Sequence, residues 1–345
     1  MKINILESEN FRKFEKVKFS FADYFNVISG KNGAGKTTLL EMIYLLSTGK
    51  SFITTHLNNC IRFGSDYSFI SAKFETKEGN NEIKFMFGKS GKEIRFNGKK
   101  LKSFSQFVGI LPVIFMNYKL SLTVKGGPEY RRAFLNHLLI FIDKKYYKLL
   151  MRYYTLLKER NVLLKNGADL SLLSVYSNEI VKCGEEIQNK RDKIIQKLAP
   201  VVNEMMKFIT GEKHNIDMIY ERSDINNLRF KDTLKKEILR KRTLFGPHLD
   251  DIKILLNGVP AREFSSLGEA YSLAFSMRFA ENKIIEEVRG DTPIILLDDF
   301  FSDLDEFHRR NILSLTKDRQ VFLTTLNLSL IPDEIIKSVK VIVLR

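Results

Sequence analysis

The sequence has only two cysteines, Cys60 and Cys183, far apart and outside any CxxC or Cys/His cluster. That scarcity excludes a disulfide framework and a structural zinc site, and it predicts two buried thiols. Long apolar runs are missing too. The longest, ILPVIFM at 110–116, falls well short of the roughly 20 residues that span a bilayer. The opening MKINILESENF alternates apolar and polar residues without the apolar core of a signal peptide. A soluble, cytoplasmic chain with no membrane partner is expected. There is no internal repeat and no low-complexity tract. What remains, 345 residues of which 44% are hydrophobic, suffices for one large domain or two ordinary ones.

Acidic residues are too few to balance the basic ones, and the shortfall is local. Residues 1–125 carry 20 Lys and Arg against 10 Asp and Glu, residues 126–212 carry 15 against 10, and residues 213–345 carry 21 against 21. The whole net charge of +15 therefore lies in the first 212 residues. A polyanion-binding face suits that asymmetry, because each phosphate neutralised releases condensed counterions. A solvated lysine-rich surface is the plainer alternative.

The first third reads as strands: KINILESENF, KVKFSF and FNVIS, then FISAKFET, EIKFMFG and KEIRFNG, separated by EGNN, GKSGK and NGK. From KGGPEYRRAF onward the spacing becomes helical. Ile142, Tyr146, Leu149, Tyr153, Leu156 and Leu163 form one stripe, interrupted by Arg160. After NGADLS, Leu173, Tyr176, Ile180, Cys183 and Ile187 continue the pattern, followed by Ile194, Leu198, Val201, Met205 and Phe208. Such stripes predict an antiparallel helical arm packed along its own seam. Beyond about 213 an α/β pattern returns, with DIKILLNGVPAREF as a hairpin, one long helix from GEAYSLAF, and the strands PIILLDD, QVFLTT and KVIVL. The predicted fold is α/β: residues 1–125 and 213–345 form a phosphate-loop head with an antiparallel β subdomain, interrupted by a helical lobe at 126–212.

GKNGAGKT, from Gly30 to Thr37, matches G-x-x-x-x-G-K-[ST] in full, after an apolar run and before a helical pattern. The cradle comprises Gly30, Lys31, Asn32, Gly33, Ala34, Gly35, Lys36, Thr37 and Thr38. Backbone N–H groups from Gly33 to Thr37 would wrap the β-phosphate of ATP. Lys36 would reach the β- and γ-phosphates, and the Thr37 hydroxyl would ligate Mg²⁺. Ile294 to Leu297 describe a strand buried on both faces that delivers Asp298 and Asp299 at its end. Asp298 would hold Mg²⁺, and Asp299 would orient and deprotonate the attacking water. Ser266 and Gly268 precede a helix whose N-terminus could take another anion, although an ordinary capped helix reads the same.

Phosphate loop, serine-glycine helix start, paired aspartates and then Ser302, Asp303, Leu304 and Asp305, in that order, resemble the head of an ABC-type ATPase. More narrowly they resemble its SMC-like branch, in which a helical arm divides the head. ENFRKFEKVKFSF, IRFG, GGPEYRRAFLNHLL, TLFGPHLDDIKILLNG and LLDDFFSDLDEFHRR are similar to the RecF family of bacterial DNA replication and repair over nearly the whole chain. That resemblance implies slow ATP hydrolysis and an ATP-dependent homodimer in which Ser266 and Gly268 of one copy cover the nucleotide of the other. It implies binding to duplex and to gapped or single-strand/double-strand junction DNA, with DNA across the basic β portion and the base of the arm. It also implies help in loading RecA together with RecR and RecO, and adds Asp305 and Arg12 to the nucleotide contacts, a solvent-facing arginine on a hairpin being the alternative for Arg12.

Several positions depart from the family pattern. Glu269, Ala270 and Tyr271 stand where glutamine and a later arginine are usual, Leu249 replaces an arginine, Asn136 an aspartate, and MNYKL an acidic loop. Thr324 and Thr325 end a strand where transporter heads carry a switch histidine. That difference, with the helical insertion and basic first half, speaks against an ABC transporter subunit. A nucleotide-binding scaffold with negligible hydrolysis stays open. His248 and His308 read as capping or surface groups.

Overall fold

The computed structural model describes residues 1–167, 170–211, 214–225, 230–300, 306–316, 318–331 and 339–344. From the N-terminus come β1 (Lys2–Phe11), β2 (Phe14–Ser20), β3 (Phe25–Ser29), α1 (Lys36–Thr48), β4 (Tyr67–Thr76), β5 (Gly79–Gly88), β6 (Gly91–Phe96), β7 (Lys99–Lys100), α2 (Phe104–Phe107) and β8 (Val113–Asn117). Helices follow: α3 (Leu122–Lys125), α4 (Pro128–Ile142), α5 (Tyr146–Asn166) and α6 (Leu170–Thr210). The chain then alternates through β9 (Ile216–Glu221), α7 (Phe230–Arg240), β10 (Asp251–Leu256), β11 (Val259–Pro260), α8 (Ala261–Phe264) and α9 (Leu267–Arg289). It closes with β12 (Ile294–Asp298), α10 (Glu306–Ser314), β13 (Val321–Thr325) and β14 (Lys340–Val343). Two compact units result: Met1–Leu120 with Phe208–Thr210 and Arg278–Arg345, and Ser121–Lys207 with Gly211–Met277.

The first unit holds two sheets. One is antiparallel, in the order β2-β1-β4-β5-β6-β7; the other is parallel, in the order β14-β3-β13-β12-β8. Ile294, Ile295, Leu296 and Leu297 are all fully buried, as a central parallel strand requires. The apolar face of α1, from Leu39 to Leu46, joins Leu6, Ile70 and Phe85 of the antiparallel sheet and Leu296 and Phe322 of the parallel one in a single core. Gln320 ties the sheets by their backbones: its amide accepts from Ile3 N (2.7 Å) and donates to the carbonyls of Ile3 (2.8 Å) and Ala22 (2.9 Å).

The second unit packs α3 to α5, most of α6, α7, α8 and the first part of α9 with the sheet β11-β10-β9. Gly211–Met277 group with the helices in this division, and polar anchors tie β10 to them. Arg131 on α4 clamps Asp251 at 2.7 and 2.8 Å, while Arg132 donates to the Asp250 carbonyl at 2.7 Å, so β10 is tied to α4. Asp250, fully buried, accepts from Gln188 and from the Ser223 N–H, and it pairs with Arg191 at 3.2 Å.

The α5 seam keeps Tyr146 and Tyr153 of the expected stripe but takes Leu150, Leu157 and Leu164 in place of Leu149, Leu156 and Leu163, and it includes Arg160. Arg160 therefore occupies a seam position. Fully buried, it bonds Glu237 (2.7 Å), Thr243 (2.8 Å) and Ser177 (2.9 Å), which compensates the desolvation of its charge. Contacts between Arg160 and Ser177 and between Tyr146 and Arg191 set α5 and α6 antiparallel. The two apolar runs after NGADLS form one helix of 41 residues that continues through Pro200.

His248 is half-buried, with its Nε2 3.4 Å from the Thr243 carbonyl oxygen. Its Nδ1 lies 2.6 Å from the Tyr153 hydroxyl, and burial drives its imidazole down from 6.5 to about 4. The unfolded ring takes up protons that the folded one refuses. Stability from the neutral ring is thus complete above about pH 6.5 and declines as pH falls toward 4. Urea unfolding from pH 7 to pH 4 should show a loss of up to about 3 kcal/mol from this group, and the His248→Gln variant should lack that part of the slope. Parallel profiles for parent and variant would contradict this role.

Candidate nucleotide-binding site

β3 emerges from the core and the chain turns at Gly30 into a loop that closes on α1. Glycine is required at both ends of this turn. A Cβ at Gly30 (φ 154°) would lie 2.5 Å from the Leu344 carbonyl oxygen, and one at Gly35 (φ 102°) would lie 2.6 Å from the Phe14 ring. Gly33 is also left-handed, with φ 77°. Ala34 N–H bonds back to the Lys31 carbonyl at 3.1 Å, and Lys36 Nζ donates to the carbonyls of Gly30 (2.7 Å) and Lys31 (3.2 Å). α1 begins at Lys36 with Gly35 as N-cap and no side-chain cap. Its first N–H groups, including those of Thr37 and Thr38, lack intrahelical acceptors and form an anion-binding end. Lys31 and Asn32 are exposed at the crest of the loop.

Strand order assembles the acidic side. β13 lies between β3 and β12, in register so that Thr324 faces Asp298 on one side and Ile28 on the other. Thr324 Oγ1 donates to Asp298 Oδ1 at 2.7 Å, and Thr37 Oγ1 donates to the same oxygen at 3.0 Å. Thr324 Oγ1 also accepts the Asp299 N–H at 2.9 Å. Burial pushes the Asp298 carboxyl above the usual range, against the pull of both hydroxyls and of Lys36; Asp299 adds to the upward push. Asp299 itself is exposed, with φ 47°, a strained backbone for a residue with a side chain. The structure thus brings together Lys36, Thr37, Asp298 and Asp299, residues 261 positions apart in the case of the Thr37–Asp298 bond. Thr324 is the member that motif reading passed over.

Arg12 is committed inside the chain. Its guanidinium grips the fully buried Glu41 of α1 at 3.0 and 2.7 Å and donates to the Asn59 carbonyl at 3.0 Å. This engagement makes it a brace between the β1–β2 turn and α1. Glu41 also accepts from Ser51 and neighbours Cys60, whose thiol is pushed up to about 12 by burial and by that carboxylate. Both cysteines are buried.

Ser266 and Gly268 lie in the second unit, at the start of α9. Ser266 N–H donates to Glu269 Oε2 at 2.8 Å, and Glu269 N–H donates to Ser266 Oγ at 3.2 Å, a reciprocal capping box. These bonds hold the Glu269 carboxyl below its usual range. Asp305 lies outside the described residues, and so do Ser302, Asp303 and Leu304.

A model of the RecF/RecN/SMC N-terminal domain matches residues 2–341. The DNA replication and repair protein RecF of Clostridium novyi is 34% identical over 334 residues, covering 94% of this chain and 92% of its own. The chain belongs to the RecF family. RecF of Clostridium kluyveri is 33% identical, covering 100% of this chain and 98% of that protein. A solved structure of the recombination mediator protein RecF-ATPrS in the RecFOR pathway superposes with a TM-score of 0.90 at 29% identity, over 96% of this chain and 94% of that one. An SMC head bound to the C-terminal winged-helix domain of ScpA shares the fold, with a TM-score of 0.59 at 16% identity over 99% of this chain and 94% of that one. The α/β architecture is thus that of an SMC-like ABC ATPase head. Among the described residues no helix is long and apolar enough to cross a membrane.

Within this RecF-family site, Thr324 has a measurable part. Thr324→Val keeps the shape but leaves the Asp299 N–H without its acceptor, so urea unfolding should show a loss of about 1–3 kcal/mol, largely recovered in Thr324→Ser. A valine variant as stable as the parent would remove the hydroxyl from this network.

Proposed function

We propose that the chain is an ATP-dependent DNA-binding protein of replication and repair, in which two copies close on DNA when each holds ATP. The observation that carries this reading is the bonding of Thr37 and Thr324 to one oxygen of Asp298, beside a loop whose glycines leave its N–H groups to an anion. Asp298 and Thr37 offer hard oxygen donors of the kind Mg²⁺ takes, and they would hold that ion, which supplies charge neutralisation on the phosphates. Lys36 binds the β- and γ-phosphates. Asp299 orients the attacking water and takes its proton.

Ser266 and Gly268 of one copy cover the nucleotide held by the other. Support comes from Gly268 itself: among the described residues a Cβ there would meet nothing within 4 Å, and no left-handed φ calls for glycine. Gly268 stands in the first turn of α9, and close approach by another molecule would account for a residue without a side chain there. Ser266 and Glu269 already bond each other, so this chain's signature contact starts from a satisfied cap and must exchange it. Hydrolysis in this account is slow and loosens the dimer.

DNA lies on the basic first portion, where Lys92, Arg95, Lys99 and Lys100 are exposed on β6 and β7. The relatives named DNA replication and repair protein RecF, and the solved recombination mediator in the RecFOR pathway, support DNA as the partner; the same proposal puts the chain at duplex and gapped or junction DNA with RecO and RecR, preparing it for RecA. Parent protein should bind gapped duplex more tightly with ATP than without. Lys36→Met should abolish that gain, while Asp299→Asn should accumulate the nucleotide-bound dimer. Equal DNA affinity with and without ATP would overturn the reading.

A further inference from the structure

The turn between β1 and β2 is held against the phosphate loop from several directions. Phe14 closes on Gly35 so tightly that a Cβ there would sit 2.6 Å from its ring. Arg12 N–H donates to the Cys60 carbonyl at 2.7 Å, and its guanidinium is locked onto Glu41 of α1, the helix that the loop opens. Lys13, the next residue, is exposed. Its ammonium donates to the Gly33 carbonyl at 3.0 Å, and its Cδ lies 3.4 Å from where a Gly35 Cβ would be.

We infer that Lys13 is a second phosphate-binding cation of this site, reaching the polyphosphate from the hairpin while Lys36 reaches it from the loop. The inference rests on the nucleotide reading above. Two ammonium groups cap carbonyls of one short loop, Lys36 at Gly30 and Lys31, and Lys13 at Gly33. An ammonium has three donors, and the single bond from Lys13 to a neutral carbonyl leaves others to turn toward charge. A bond between two ions is stronger than one between an ion and a neutral acceptor. Arg12 spends its Nε and Nη2 on Glu41 and its Nη1 on the Asn59 carbonyl. It acts as a positioning residue that fixes the turn, and the lysine beside it supplies the contact. Because the recognition is of charge rather than of the base, it grows with the number of phosphates.

Calorimetric titration of ATP and ADP into the whole chain tests this, with Lys13→Met, Lys13→Arg and Lys36→Ala beside the parent. Lys13→Met should weaken ATP about tenfold, the loss of one charge-assisted bond, and ADP less. Lys13→Arg should restore most of the ATP affinity, and thermal unfolding without nucleotide should match the parent. Equal weakening of ATP and ADP, or a lowered Tm, would make Lys13 a brace of the loop and overturn the inference. So would parent-like ATP affinity in Lys13→Met while Lys36→Ala has lost it. Parent-like affinity in Lys36→Ala as well would overturn the nucleotide reading, and this inference with it.

Discussion

Everything at the site depends on a carboxylate held at the end of a dry strand. β12 is buried on both faces because Ile294 to Leu297 are apolar without a break, and that burial delivers Asp298 into surroundings that disfavour its charge. Two hydroxyls offset the penalty, one from α1 and one from β13. Neither could reach unless β13 lay between the strand that feeds the phosphate loop and the strand that ends in Asp298. Parallel order, residue register and local electrostatics are therefore one constraint seen at three scales. A cation beside Asp298 would meet a carboxylate already oriented and already short of solvent.

Rigidity of the loop comes from outside it. Phe14 leaves no room for a side chain at Gly35, and Arg12 joins the same turn to α1 through Glu41. The antiparallel sheet thereby becomes part of the nucleotide site as well as the proposed surface for DNA. Gln320 links β1 to β13 at the far end of the same strands.

The phosphate loop and the acidic strand end were legible because each is a contiguous pattern with its own physics: left-handed glycines in one, an unbroken apolar run in the other. Thr324 was not, since its part follows from the strand order β3-β13-β12, and order is decided by which strands bury one another rather than by local spacing. Arg160 looked like a break in a stripe because its partners, Glu237 and Thr243, lie more than 70 positions away. The 212/213 boundary followed the return of β texture, whereas Arg131 and Arg132 bind β10 to the helices. Arg12 and Lys13 are adjacent in the sequence, and only the buried Glu41 separates the brace from the exposed cation.

A second copy completes the site in this account, and sedimentation velocity of the whole chain over a range of ATP concentrations tests that claim most directly. The account predicts a monomer without nucleotide and with ADP, and a dimer with ATP that a bulky side chain at Gly268, as in Gly268→Arg, prevents without loss of ATP binding. A chain that stays monomeric while saturated with ATP, or that dimerises equally with and without it, would contradict it.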